Sequence, residues 1–196
     1  MAYDLSEKTA PALYPVSLHE LKRHLGIETD HDDSTLVNAT IPAATAAVQL
    51  RTHRQLLEAT LMLTVPDFPL GSNGLYLPAG QFQSVSAIRW YDEDENETEL
   101  TLPDDILIRG SSDYPVLYAA SPYAWPHAHR VEVDYVAGYG TGRRDVPALL
   151  RQAVLVYAGY LYDDRAAEEP PKYWAELCDM FALGNEFTLS DCGYAN

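Results

Sequence analysis

The residues best suited to chemistry in this sequence are the turn Gly138-Tyr139-Gly140-Thr141-Gly142, the run Asp92-Glu93-Asp94-Glu95, the pair His127 and His129, and Asp163-Asp164. A glycine-rich turn between a strand and a helix can cradle a phosphate on its backbone amides. This one lacks the Gly-Lys-Ser/Thr of a phosphate loop and the spacing of the dinucleotide fingerprint, and no parallel βαβ series follows it. The four consecutive carboxylates offer oxygen ligands to calcium. Without a central glycine and a distant bidentate glutamate, they read as a solvated hairpin tip. His127 and His129 share a face of an extended segment, but the sequence places no third ligand, and His19 and His24 diverge on a helix.

Asp163-Asp164 stand at a helix C-terminus, where carboxylates oppose the macrodipole, and read as a salt bridge with Arg165. There is no Gly-x-Ser-x-Gly and no cysteine–histidine context for a nucleophile. Cys178 and Cys192 are the only cysteines, too few for a zinc site or a disulfide framework, and are expected to be reduced. The expectation is a protein with no catalytic residues, no metal and no cofactor: not an enzyme.

The elements that position these residues follow from periodicity. Val131, Val133 and Tyr135 alternate with Glu132 and Asp134, the pattern of a half-buried strand. Asp145 is a candidate N-cap and Pro147 fits the first turn of the helix that follows. That helix carries Val146, Leu149, Leu150, Ala153, Val154, Tyr157 and Leu161 on one stripe. Leu155, Val156, Tyr160 and Tyr162 lie off it, so the helix is buried on more than one side, against the chain's own sheet or against a neighbouring subunit.

Upstream, Ser17-Leu18-His19-Glu20 is a capping box and Gly26 stops its helix. A second helix carries Leu36, Val37, Thr40, Ala44, Ala47 and Val48, with a kink expected at Pro42. From Leu57 the texture turns to short strands: 61–65, 75–77, 85–91, 99–102, 106–108 and 116–118, an antiparallel sheet or small barrel. The fold class is therefore α+β: a helical bundle of two N-terminal helices and one long C-terminal helix, with an inserted antiparallel β-rich region. Its divisions are 1–56 (N-terminal helices), 57–137 (β-rich insertion), 138–165 (turn and long core helix) and 166–196 (short helix and tail), all one structural unit.

Composition narrows the function. The 196 residues carry a formal net charge of −16, which repels nucleic acid and makes sequence-specific DNA binding improbable. No apolar run reaches the length of a membrane span, and the polar segment Met1 to Ala10 is not a signal peptide.

Several segments, in order, resemble one family. Pro15-Val16-Ser17-Leu18-His19-Glu20-Leu21-Lys22-Arg23-His24-Leu25 is similar to the opening helix of the head–tail connector (adaptor) proteins of long-tailed phages. Leu77-Pro78, 83–88 (QSVSAI), 135–140 (YVAGYG), 146–153 (VPALLRQA) and 162–165 (YDDR) continue the likeness. The resemblance implies a non-enzymatic ring of about twelve subunits beneath the portal protein of a filled capsid. Such a ring extends the DNA channel, lets DNA through without sequence-specific binding, and offers a surface to the next head-completion or tail protein. The protein would be made in the bacterial host cytoplasm and reside in the virion at the head–tail interface, away from membranes. The apolar helix would pack subunits together through Leu155, Val156, Tyr160 and Tyr162, and the tail residues Phe187, Leu189 and Tyr194 would dock on the portal. The sequence departs from the family at Pro42 and in its extended tail after Arg165.

An acidic ring would present a wall to which DNA does not adhere, whereas a bore lined by Arg51, Arg54, Arg143 and Arg144 would contradict that idea. Three other readings stay open: another tail-completion or stopper protein, a small metal-dependent hydrolase using His127, His129 and Asp163, and a carbohydrate-binding module stacking sugars on Trp90, Tyr123 and Trp125.

Overall fold

In the computed structural model, residues 3–27, 33–69, 73–120, 125–163 and 169–184 are described. In chain order the elements are β1 (Asp4–Thr9), α1 (Leu18–Leu25), α2 (Asp33–Thr35), a π-helical turn (Leu36–Thr40), α3 (Ile41–Thr52), β2 (Ala59–Val65), β3 (Leu75–Tyr76), β4 (Phe82–Tyr91), β5 (Glu97–Leu100), β6 (Ile106–Gly110), β7 (Pro115–Ala119), β8 (Arg130–Ala137), α4 (Ala148–Asp163) and α5 (Lys172–Asp179). They form two compact units. One comprises residues 1–10, 59–138 and 184–196; the other comprises 11–58 and 139–183.

The β unit holds two antiparallel sheets, a five-stranded one in the order β1-β2-β8-β4-β5 and a three-stranded one in the order β3-β7-β6. The alternation read in β8 is real: Val131, Val133 and Tyr135 are fully buried and pair with Val65, Leu63 and Leu61 of β2. Their side chains meet Leu75, Leu117 and Ile106 of the smaller sheet in one apolar core. Tyr135 buries its ring and donates its hydroxyl to the Pro78 carbonyl at 2.6 Å, which satisfies the one polar atom that burial would otherwise strand.

β1 is a strand that periodicity did not predict. Its sequence Asp-Leu-Ser-Glu-Lys-Thr is polar because it is an edge strand with mostly exposed side chains, and only Leu5 packs against the core. Its backbone is recruited by β2 rather than by its own pattern.

The helical unit is organised around α4, which packs against α1, α3, α5 and the π-helical turn. The expected capping box is present: Ser17 Oγ accepts from the Glu20 amide at 3.2 Å, and Glu20 Oε2 accepts from the Ser17 amide at 2.7 Å. Gly26 ends α1 in the left-handed region, with φ of 66°. Pro42 lies in the first turn of α3, and the disturbance expected there takes the form of the π-helical turn immediately before it, where the Ile41 amide donates to the Leu36 carbonyl. Proline has no N–H for the usual bond, and a wider turn absorbs the defect.

The expected α+β class holds, and one expectation needs correction. The described residues hold four helices of eight or more residues (α1, α3, α4 and α5), not three, because the short helix after residue 166 joins the same core through Trp174, Leu177 and Cys178. Among the described residues no helix is long and apolar enough to cross a membrane.

Candidate functional site

The glycine turn contains its own anion. Gly140 has φ of 150°, and a Cβ there would lie 2.5 Å from Asp145 Oδ2. That carboxylate accepts from the Gly142 amide at 2.8 Å. An aspartate therefore occupies the place where a phosphate would have to bind, and a second anion would meet its charge at contact distance. Asp145 thus closes the turn itself. The Gly140 carbonyl accepts from the Glu58 amide at 2.9 Å and Tyr139 donates to the Leu56 carbonyl at 3.1 Å, so the turn is pinned beside the end of the helical core.

The other chemical candidates are likewise engaged structurally. The run from Asp92 is the tip between β4 and β5, where Asp92 Oδ1 accepts from the amides of Asp94 and Asn96, each at 2.9 Å. Hydrogen bonds from Asn96 hold the Asp92 carboxyl below its usual pKa. His127 and His129 are both exposed, and His127 Nδ1 lies 3.0 Å from Asp67 Oδ2. No group of three or more His, Cys, Asp or Glu among the described residues is placed to hold a metal. Trp125 is a core residue stacked on Phe68 at 4.5 Å, with its indole N–H donated to the Asn73 carbonyl at 2.9 Å, which leaves no face for a sugar. Asp164, Arg165, Tyr123 and Cys192 lie outside the described residues. Cys178 is buried, and burial pushes its thiol up to about 11, so little thiolate exists at neutral pH.

What remains is surface, and α4 carries the residues singled out for assembly. Leu150, Ala153, Val154, Ala158 and Gly159 form its buried face. Leu155, Val156 and Tyr162 are half-buried and pack on the helical core, and the Tyr160 ring lies tilted against that of Tyr157, 5.5 Å between centres. Tyr157 in turn meets Trp174 of α5 at 4.6 Å. Leu149, assigned to the buried stripe by its spacing, is 40% exposed. At helical spacing Leu149, Gln152, Val156 and Tyr160 form one partly exposed stripe. Phe187, Leu189 and Tyr194 lie outside the described residues.

A second surface was not assigned to assembly from the sequence, where the alanine run Ala43, Ala44, Ala46 and Ala47 pointed only to close helix packing. On α3 the exposed residues are Ala43, Ala46, Leu50 and Arg51, and Leu50 is 77% exposed. The available signal was charge: no Asp or Glu occurs between Asp33 and Glu58.

The β unit has a polar face of its own. Asp134, expected to face solvent, is only 3% exposed and is held by Lys8 Nζ at 2.6 Å and an Arg89 terminal nitrogen at 2.7 Å. Burial raises its pKa, but the hydrogen bonds from Lys8 and Arg89 outweigh that and leave it lowered. The network runs on through Glu132 to Arg130, which lies over the Tyr91 ring at 4.1 Å and reaches Glu95 at 2.9 Å. This network is structural, since each cation in it is spent on a neighbouring carboxylate.

The geometry defines a scaffold with packing surfaces and no reactive centre among the described residues. Residues 15–107 match the model of the family described as phage gp6-like head-tail connector protein, so the resemblance to phage head–tail connectors drawn from the sequence holds over that stretch. Among solved structures, a chain from the neck of an empty gene transfer agent (GTA) particle computed with C6 symmetry is 25% identical, with a TM-score of 0.78 over 94% of this chain and 97% of that one. A chain from the virion of a native GTA particle is 23% identical, with a TM-score of 0.79 over 93% and 97%. A third, from the neck of a native GTA particle computed with C12 symmetry, is 22% identical, with a TM-score of 0.72 over 94% and 97%. No match was found among proteins of curated function.

Proposed function

We propose that this chain is a structural connector of a phage-like particle, placed in the virion neck at the head–tail interface, where it assembles as a ring around the DNA path. The observation that carries the reading is the near-complete overlap, 94% of this chain on 97% of the other, with a chain of a particle neck. The connector-family match over residues 15–107 supports it from sequence. A ring of about twelve copies suits a closed cyclic assembly, and the C12 symmetry of a neck that contains a similar chain favours that number.

In this reading the portal protein lies on one side and a head-completion or tail protein on the other. Leu155, Val156, Tyr160 and Tyr162 of α4 contribute to the contact between copies, and Phe187, Leu189 and Tyr194 dock on the portal. The net charge of −16 per copy lets DNA pass without adhering. The work is mechanical, and no catalytic group is needed for it.

The test is direct. Tagged protein mixed with DNA-filled, tailless heads should bind at a single vertex, and heads saturated with it should then accept tails. Binding all over the capsid, or no binding to heads that carry a portal, would defeat the assignment.

A further inference from the structure

We infer that the outward face of α3, built from Ala43, Ala46 and Leu50, is one half of the seam between neighbouring copies. It seats on the stripe Leu149, Gln152, Val156 and Tyr160 of α4 in the next copy. The inference rests on the ring reading above and adds the surface that reading lacks. A ring closed by rotation uses heterologous contacts, in which two different patches of each subunit meet. The α4 stripe is one patch, and α3 supplies the other.

Charge is the first argument. Copies carrying −16 each repel one another, so a stable seam must fall where carboxylates are absent. The chain has 29 Asp and Glu in 196 residues, so a run of 24 would carry roughly three or four, yet residues 34–57 have none. The segment between Asp145 and Asp163, which contains all of α4 but its last residue, has none either. Both acid-free segments leave apolar side chains outside the unit's own core, Leu50 in one and Leu149 in the other.

Shape is the second argument. Ala43, Ala46 and Leu50 recur at helical spacing on one side of α3, and all three are exposed. A helix facing water would carry charge there, whereas α3 is apolar on its inner side, through Ala44 and Val48, and on its outer side as well. Two alanines keep the surface low, so a second helix can approach to about 8 Å between axes. Leu50, 77% exposed, then supplies the one large side chain that can fill a hole between Val156 and Tyr160 of the neighbour.

The test uses the full chain with Ala46→Glu and, separately, Leu50→Glu, both at exposed helical positions that glutamate tolerates. Circular dichroism should show wild-type helix content and melting. Native mass spectrometry of concentrated protein and quantification of the chain in purified particles should show at least a tenfold loss of rings and of incorporation. Ala46→Glu mixed with Gln152→Lys should recover part of the loss, because the two new charges face each other only across a heterologous seam. Rings and incorporation at wild-type levels in both Glu variants would overturn the inference, as would loss of fold in both, which would place the face inside the monomer. Absence of the wild-type chain from particle necks would instead overturn the connector reading, so the two failures are distinguishable.

Discussion

Lys8 Nζ lies 2.6 Å from Asp134 Oδ2, so β1 is pinned to a carboxylate buried in β8, the last of the described strands. Among the described strands β1 pairs through its backbone with β2 alone, and this side-chain contact reaches past β2 to β8. Because the Asp134 side chain is 4% exposed while that of Lys8 is 49% exposed, removal of the acid leaves the largely buried Arg89 with only its longer 3.7 Å contact to Glu132, whereas removal of the lysine leaves the Arg89–Asp134 pair in place. Asp134→Asn should therefore cost about 2–3 kcal/mol and Lys8→Ala about 1 kcal/mol, measured by urea denaturation at pH 7.

The pH dependence follows from the direction of the shift. The Asp134 pKa is lowered in the folded protein, so on acidification the unfolded chain takes up this proton first. Its stabilising contribution is complete above the ordinary carboxylate range near about pH 4 and fades as pH falls through the lower folded value. The melting-temperature gap between wild type and Asp134→Asn should be constant from pH 8 to 5 and close below about pH 4. A gap that instead widened on acidification would show the folded pKa to be raised.

How far the sequence reached depends on what each residue answers to. Local signals were legible: the Ser17–Glu20 capping box, the Pro42 disturbance, and the buried Val131, Val133 and Tyr135 of β8 depend only on neighbours in the chain. Residues answering to distant partners were not. Asp134 looked like a solvent-facing residue because alternation says nothing of Lys8, 126 positions away. β1 was invisible because an edge strand is kept polar. Leu149 was assigned to the core by spacing, but the buried face of α4 runs through Leu150, Ala153 and Val154, and rotation by one residue puts Leu149 outside. The helix start near Asp145 was readable from local pattern. What fills the glycine turn was not, since Asp145 had an equally good local role as a helix cap.

Arg51 makes a two-pronged contact with Asp179, Nε to Oδ1 and a terminal nitrogen to Oδ2, each at 3.0 Å, and lies 5.6 Å from the centre of the Trp174 ring. The pair is exposed, so its energetic weight is small, but it ties α5 to α3. Arg51→Ala should lower global stability by less than about 1 kcal/mol. Amide exchange should nonetheless quicken in α5 more than in α1, because the local opening of α5 loses both tethers. Equal acceleration in both helices would show that Arg51 has no local role.

Cys178 offers a probe of the helical core. It is fully buried, and its thiol is pushed up to about 11, so alkylation at pH 8 requires opening of the packing around α5. Maleimide should leave Cys178 unmodified for hours in native protein and label it within minutes in denaturant, as read by peptide mass spectrometry. Arg51→Ala should raise the native rate. Rapid native labelling in the wild type would mean that α5 is not held against the core.

Two glycines predict opposite outcomes for the same substitution. At Gly159, inside α4, a Cβ would meet Leu25 and His24 of α1 at 3.6 and 3.7 Å, which is ordinary contact. Gly159→Ala should therefore stabilise by about 0.5–1 kcal/mol through helix propensity alone. At Gly140 a Cβ would lie 2.5 Å from Asp145 Oδ2 and 2.9 Å from its Cβ, and φ of 150° is disfavoured for any residue with a side chain. Gly140→Ala should cost about 2–3 kcal/mol. Asp145→Ala added to it should recover only part of that cost, since the contact with the carboxylate is removed while the 2.9 Å contact with the Cβ of residue 145, the backbone strain and the lost Gly142 hydrogen bond remain. Thermal melts of the three variants decide the matter. Full recovery in the double variant would mean that the turn was shaped by the aspartate alone, with no backbone demand for glycine.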